Sequence, residues 1–322
     1  MKTLKFTLRP LAPFATPLAG DTLFGHLCWA IREAQADRGL AGLLEGYTAG
    51  HPFLVVSDGF PAGLLPRPTA PDFVLGLEID PRQRKRARTH RWLPADGAGE
   101  PLAHWMKRLT DSKAEKLAVL TQNTINRHTG TTGTGQFAPR QVDRISFAEG
   151  ARLDVYAVLD EARLSAEKLQ DLLASIGLHG YGRDATTGLG KFAIEPVNEQ
   201  VWPDQDRPHR HWLTLAPCAP DAEMLLTNGC YYLPLTRFGR HGNLAATMAS
   251  PFKRPLLMIA TGALLTAREP ACWAVHGRGL GGMAAPLSKL IPETVHQGYA
   301  PVVPLRVEGS LCTGSSKSFR SR

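Results

Sequence analysis

The 322-residue sequence contains no apolar run approaching the ~18 residues needed to cross a bilayer, so no membrane-spanning segment and no membrane partner are predicted. The N-terminus, Met1-Lys2-Thr3-Leu4-Lys5-Phe6, lacks the continuous apolar core of a secretory signal. Cysteine is sparse: Cys28, Cys218, Cys230, Cys272 and Cys312 are odd in number, far apart, and never arranged as CxxC. That spacing excludes a zinc ribbon or a dithiol redox centre and fits reduced thiols in a cytoplasmic protein. HExxH, paired-carboxylate and nucleophile-elbow patterns are also missing, so no catalytic residue, metal or cofactor is assigned. Acidic residues are outnumbered, 29 against 37 Lys and Arg, and the formal charge of +8 points to a polyanionic partner.

Gly (31) and Pro (25) are plentiful and imply many turns and short elements. Between them, periodic segments stand out. Leu4, Phe6 and Leu8 alternate with Lys5, Thr7 and Arg9, the pattern of a half-buried strand. Asp21 is placed to cap a helix whose apolar stripe runs through Leu23, Leu27, Ala30, Ile31 and Ala34. Residues 53–57 and 152–160 read as strands, the second with Leu153, Val155, Ala157 and Leu159 inward. Ser165 caps a helix carrying Leu169, Leu172, Leu173 and Ile176 on one face, with Gly177 as its C′ residue, and Lys191–Val197 closes the unit as a strand. The order β-α-β-β-α-β predicts a ferredoxin-like, RRM-like domain over residues 1–198.

This domain is interrupted at about residues 60–148 by a long insertion poor in periodic pattern, the mark of a functional element or a mobile segment. After a polar linker, residues 208–309 offer strand-like runs at His211–Ala216, Cys230–Leu235, Leu256–Ala260 and Ala300–Val307, with one short helix at Asp221–Leu226. They are read as a second, degenerate and β-rich domain of an α+β protein. The Ser-rich tail, 310–322, is expected to be disordered.

Three segments suit an RNA backbone. In the glycine-rich loop 180–191, Gly180, Gly182, Gly188 and Gly190 let the chain approach a ligand closely, while Arg183, Thr186, Thr187 and Lys191 supply charge and hydroxyls for phosphate. Its GxGxxA string follows a helix and precedes a strand, the reverse of the dinucleotide-binding context, and Ala185 and Phe192 break a Walker A pattern. A plain chain reversal is the alternative. Within the insertion, Asn126, Arg127, Thr129 and Gly130 belong to a polar stretch, 123–137, placed to project as a hairpin tip, or else to form a solvated loop. Arg82–Arg91, with six cations, adds electrostatic support. His26 sits on the apolar stripe of the first helix, either as a structural histidine or as a general acid or base for RNA cleavage; His209 and His211 share a strand face but lack a third metal ligand.

Taken in order, Pro17-Leu18-Ala19-Gly20-Asp21-Thr22-Leu23-Phe24-Gly25-His26-Leu27, Asn126-Arg127-His128-Thr129-Gly130, Gly135-Gln136-Phe137, Thr187-Gly188-Leu189-Gly190-Lys191-Phe192 and Val295–Leu305 resemble the RAMP proteins of CRISPR effector complexes. Within them the sequence is similar to the tag-binding family of type III-A complexes, the fourth subunit of the Csm series. The resemblance implies two ferredoxin-like domains and a non-catalytic subunit that grips the 5′ tag of the CRISPR RNA (crRNA). It also implies contacts with the large polymerase-like subunit and the backbone RAMP subunit in antiviral defence. Gly20, Asp21 and Thr22 would then begin the first helix beside the RNA, loop 180–191 would cradle phosphates, and Asn126–Gly135 would wedge beside the tag. An RNA-processing endoribonuclease using His26 on the same fold, or the equivalent subunit of a type III-B complex, is the alternative.

Overall fold

The alternating residues at the N-terminus form strand β1 (Lys2–Pro10), with Leu4, Phe6 and Leu8 almost wholly buried. The computed structural model describes residues 1–77, 89–248 and 250–307. The cationic run therefore lies, up to Arg88, outside the described residues, and so does the tail 310–322.

Helix α1 (Gly20–Leu44) follows, then β2 (Leu54–Val56), β3 (Phe60–Pro61), β4 (Leu64–Pro66), β5 (Trp92–Pro94) and a short α2 (Leu102–Met106). A long hairpin, β6 (Glu115–Gln122) and β7 (Arg140–Phe147), leads into β8 (Leu153–Leu159), α3 (Ala166–His179), β9 (Phe192–Ile194) and β10 (Asn198–Glu199). The main antiparallel sheet runs β10-β1-β8-β2, with β9 also on β1 and β3 also on β8. Leu23, Leu27 and Ile31 of α1 and Leu169, Leu172, Leu173 and Ile176 of α3 pack on one face of this sheet.

The second half holds β11 (His209–Thr214), β12 (Pro234–Arg237), β13 (Leu256–Ile259), β14 (Leu264–Ala271), β15 (Val275–Gly277), β16 (Leu280–Gly281), β17 (Val295–His296) and β18 (Tyr299–Leu305). They make a four-stranded sheet, β14-β11-β18-β15, and the ribbons β12-β13 and β16-β17. Among the described residues this half has no α-helix; Asp221 caps only a 3-10 turn, Ala222–Met224.

Several expectations need correction. Asp21 is not the cap of α1: Ala19 holds that position without a side-chain bond, and Asp21 lies in the first turn, buried. Gly177 does not end α3. The helix continues to His179 and turns out at Gly180, whose φ is +103° and whose N–H donates to Ile176 O at 2.7 Å. Ser165 caps α3 as expected, its Oγ accepting from Lys168 N–H at 3.2 Å. β8 is buried on both faces rather than one, because Tyr156, on the second face, packs with Phe60, Trp202, Leu213, Val303 and Trp105. The two halves thus share this apolar layer. The described part of the insertion holds β3 to β7 and α2, and the strand expected at Cys230–Leu235 lies later, at Pro234–Arg237.

The segment 295–299 fastens the halves together. Gln297 is fully buried; its amide donates to Val56 O (2.8 Å) and its Oε1 accepts from Val56 N–H (2.9 Å), pairing the outer edge of β2 as a strand would. Tyr299 OH donates to Tyr47 O at 2.8 Å. All three bonds satisfy backbone groups that burial would otherwise leave unpaired.

Candidate nucleic-acid interface

The glycine loop is held in shape from inside. Tyr181, fully buried, donates its hydroxyl to Pro17 O (2.8 Å) and accepts from Ala19 N–H (3.1 Å), so it grips the turn just before α1. Its own N–H donates to Gly190 O at 2.9 Å, closing the loop neck. Gly190 has φ +72°, and a Cβ there would sit 2.0 Å from Tyr181 O. Only glycine lets the two ends of the loop meet. Gly190 N–H then donates to Pro13 O (2.9 Å), and Arg183 N–H to Thr16 Oγ1 (3.0 Å).

His26 completes this neck. Its Nε2 accepts from Gly182 N–H at 3.1 Å, and its ring lies 5.0 Å from that of Tyr181. Burial pushes its pKa down to about 4. A neutral ring that accepts at Nε2 carries its proton on Nδ1 and serves the loop backbone.

At the start of α1, Gly20 N–H donates to Asp58 Oδ1 (2.7 Å), and Thr261 donates to Asp58 Oδ2 (2.5 Å). Burial pushes the Asp58 carboxyl up to about 7. A Cβ on Gly20 would meet Val56 O at 2.3 Å, so the helix end abuts β2. Asp21 faces inward with no solvent exposure of its side chain: Arg237 donates from Nε (2.5 Å) and NH2 (2.8 Å), and His296 Nε2 lies 3.3 Å from Oδ2. Burial alone would push this carboxyl up, but His296 and Arg237 hold it below the usual range. Sequence spacing gave no sign of this clamp, since its partners lie more than 200 residues away.

The hairpin base joins the same neighbourhood. Phe14 and Ile145 exchange two backbone hydrogen bonds of 2.8 Å, and Phe14 packs edge-on to Phe147 at 4.8 Å and near Tyr181 at 5.9 Å. Arg183 reaches Asp143 O at 3.3 Å. Loop 180–191, the α1 start and the hairpin base therefore converge, leaving Arg183, Thr186, Thr187 and Lys191 exposed on the outer side; Thr22 and Gly182 are half-buried and Gly180 is buried.

The hairpin tip is separate. Asn126 N–H donates to Thr131 O (3.0 Å), Asn126 Oδ1 accepts from His128 N–H (2.9 Å), and Thr129 and Thr131 hydroxyls share a 3.0 Å bond. Arg127, Thr129 and Gly130 are exposed and Asn126 half-buried, roughly eight extended residues, or ~25 Å, from Asp143. Among the described residues no group of His, Cys, Asp and Glu is arranged to hold a metal, and no helix is long and apolar enough to cross a membrane.

No protein-family model matches this chain, and no curated protein does. Solved structures match it end to end. A chain of the Csm1-Csm4 cassette crystallised with pppApA covers 96% of this chain and all of its own length, at 17% identity and TM-score 0.58. The cassette with cA4 gives 15% identity and TM-score 0.59 over the same spans. A chain of the Csm3-Csm4 subcomplex of the type III-A CRISPR-Cas interference complex covers 95% of this chain and 99% of its own, at 12% identity and TM-score 0.55. This chain has their fold. Of the expected architecture, the mixed α and β composition with several sheets and few helices is met in the structure.

Proposed function

We propose that the protein is the non-catalytic crRNA-binding subunit of a type III-A CRISPR effector complex, cytoplasmic, holding the 5′ tag and bridging the large polymerase-like subunit to the backbone RAMP subunit. The observation that carries this reading is the end-to-end fold match to chains of two assemblies, Csm1-Csm4 and Csm3-Csm4, which have Csm4 in common. The convergence of loop, helix start and hairpin base supports it. Arg183, Lys191, Thr186 and Thr187 are exposed on the glycine loop, where two cations and two hydroxyls on an open backbone favour phosphate. Gly20, Gly180, Gly182, Gly188 and Gly190 shape that surface, Thr22 adds a hydroxyl at its rim, and Asp21 acts by fixing the helix start. Asn126, Arg127, Thr129 and Gly130 meet the RNA further along.

Residues 1–198 are read as a ferredoxin-like unit, supported by the strand order β10-β1-β8-β2 with two helices on one face. Residues 208–309 are read as its degenerate counterpart: a four-stranded antiparallel sheet remains, in a different order and without α-helices in the described part. The endoribonuclease alternative is disfavoured by His26, whose Nε2 is engaged by Gly182 and whose pKa lies near 4.

The test is to purify the protein with its neighbouring subunits and sequence the copurifying RNA from its 5′ end. A uniform repeat-derived tag is expected. Absence of RNA contradicts the reading, as does cleavage of repeat RNA by the wild type that His26→Ala abolishes.

A further inference from the structure

The second half carries a surface that the reading above does not use. Along β12 and just beyond it, side chains alternate: Leu235 and Arg237 turn inward, Arg237 to Asp21, while Pro234, Thr236, Phe238 and Arg240 turn outward and are exposed. The returning chain adds Phe252, Arg254 and Leu257, also exposed, and Arg240 bridges Phe252 in an antiparallel pair. Phe238 is 72% exposed and Phe252 65%. Two phenylalanines this open on one ribbon are unusual, because a ribbon needs its apolar side chains against the core to be stable.

Charge decides what fits there. From residue 224 to residue 268 the sequence has no Asp or Glu, yet it contains Arg237, Arg240, Lys253, Arg254 and Arg268. The ribbon face accordingly presents Arg240 and Arg254 with no carboxylate to neutralise them from their own segment. The Arg240 guanidinium lies over the Phe252 ring, 5.6 Å from its centre, extending the flat ring with a flat cation. Rings and guanidinium planes flanked by unopposed arginines match a single nucleic-acid strand: bases stack on the flat groups and phosphates meet the charges. A protein partner of ordinary composition would more often bring carboxylates to one part of this face and aliphatic side chains to another, without needing two separate aromatic platforms.

Resting on the proposed RNA-binding role, we propose that the outward face of the β12-β13 ribbon is a second contact for single-stranded RNA, with Phe238 and Phe252 stacking bases and Arg240 and Arg254 holding phosphates. The ribbon is tied to the α1 start through Arg237 and Asp21, so the strand held at loop 180–191 and the strand held here share one rigid frame.

The experiment uses the full chain and a 12-nucleotide polyuridine carrying 5-iodouridine. Photo-crosslinking with mass spectrometry is expected to attach the RNA to Phe238 or Phe252. The double variant Phe238→Ala, Phe252→Ala is expected to weaken binding at least tenfold, with unchanged thermal unfolding because both side chains are exposed. The proposal is overturned if this variant binds as wild type and crosslinks map elsewhere. It is also overturned if RNA affinity is kept while the variant loses a protein subunit during purification, which would make the face a protein-docking surface. If Arg183→Ala, Lys191→Ala weakens binding and the ribbon variant does not, only this proposal falls; if the wild type binds no RNA, the functional reading falls with it.

Discussion

Replacing Arg237 by Met keeps the apolar stem but removes two charge-assisted donors, of 2.5 and 2.8 Å, from a carboxylate with no solvent exposure. Deleting one partner of a buried pair strands the other charge, at a cost of about 3–5 kcal/mol. That is a large share of a typical stability of about 5–15 kcal/mol. His296, 3.3 Å from Oδ2, retains part of the compensation and favours the lower end of the range. Urea denaturation at pH 7 reads the loss directly. Asp21→Asn in the Arg237→Met background should recover much of it, because the remaining group is then neutral. The sign of the pH effect is fixed by the depressed Asp21 pKa: wild type draws stability from this carboxylate above its unfolded value of 3.8 and loses it as pH falls through the lower folded value. An unpaired, buried Asp21 in Arg237→Met takes up its proton at higher pH, so the gap between variant and wild type should narrow on acidification. A loss below about 1 kcal/mol, with no rescue by Asp21→Asn, would refute the clamp.

Other outcomes follow from the loop. Gly190→Ala should cost ~3 kcal/mol or more, since the new Cβ meets Tyr181 backbone at 2.0 Å with φ at +72°; Gly188→Ala, at φ +90° in open space, should cost only about 1 kcal/mol, and paired denaturation curves test the contrast. For His26, whose folded pKa of about 4 lies below the ordinary 6.5, stability is full above pH 6.5 and is lost as pH falls toward 4. His26→Gln should therefore lose roughly 2–3 kcal/mol less than wild type between pH 7.5 and 4.5, measured by urea titration at both; His211 and His276, also near 4, contribute the acid sensitivity that remains.

Elements that bury one face were legible in the sequence. β1 and α3 announced themselves because Leu4, Phe6 and Leu8, and Leu169, Leu172, Leu173 and Ile176, recur at the period of their own secondary structure. The arms of the β6-β7 hairpin did not, because Leu117, Val119 and Leu120 are exposed and neither face buries enough to impose alternation. β8 was half read: its alternation was visible, but the layer that covers Tyr156 is assembled from distant parts of the chain. At the candidate interface, the glycines and cations of 180–191 were visible as composition. The groups that give the loop its shape were not, since Gly182 meets His26 across 156 residues and Asp21 meets Arg237 across 216. The resemblance at Val295–Leu305 acquires a physical meaning only in three dimensions, where His296, Gln297 and Tyr299 lock onto α1, β2 and Tyr47.

The central claim, that loop 180–191 holds RNA phosphates, is tested most directly by the salt dependence of affinity for a single-stranded RNA, comparing wild type with Arg183→Ala, Lys191→Ala. Each phosphate contact on a single strand contributes about 0.7 to the slope of log affinity against log salt. Two lost contacts should reduce the slope by about 1.4 and weaken binding at low salt. An identical slope and affinity in the variant would remove the loop from the interface and contradict the account.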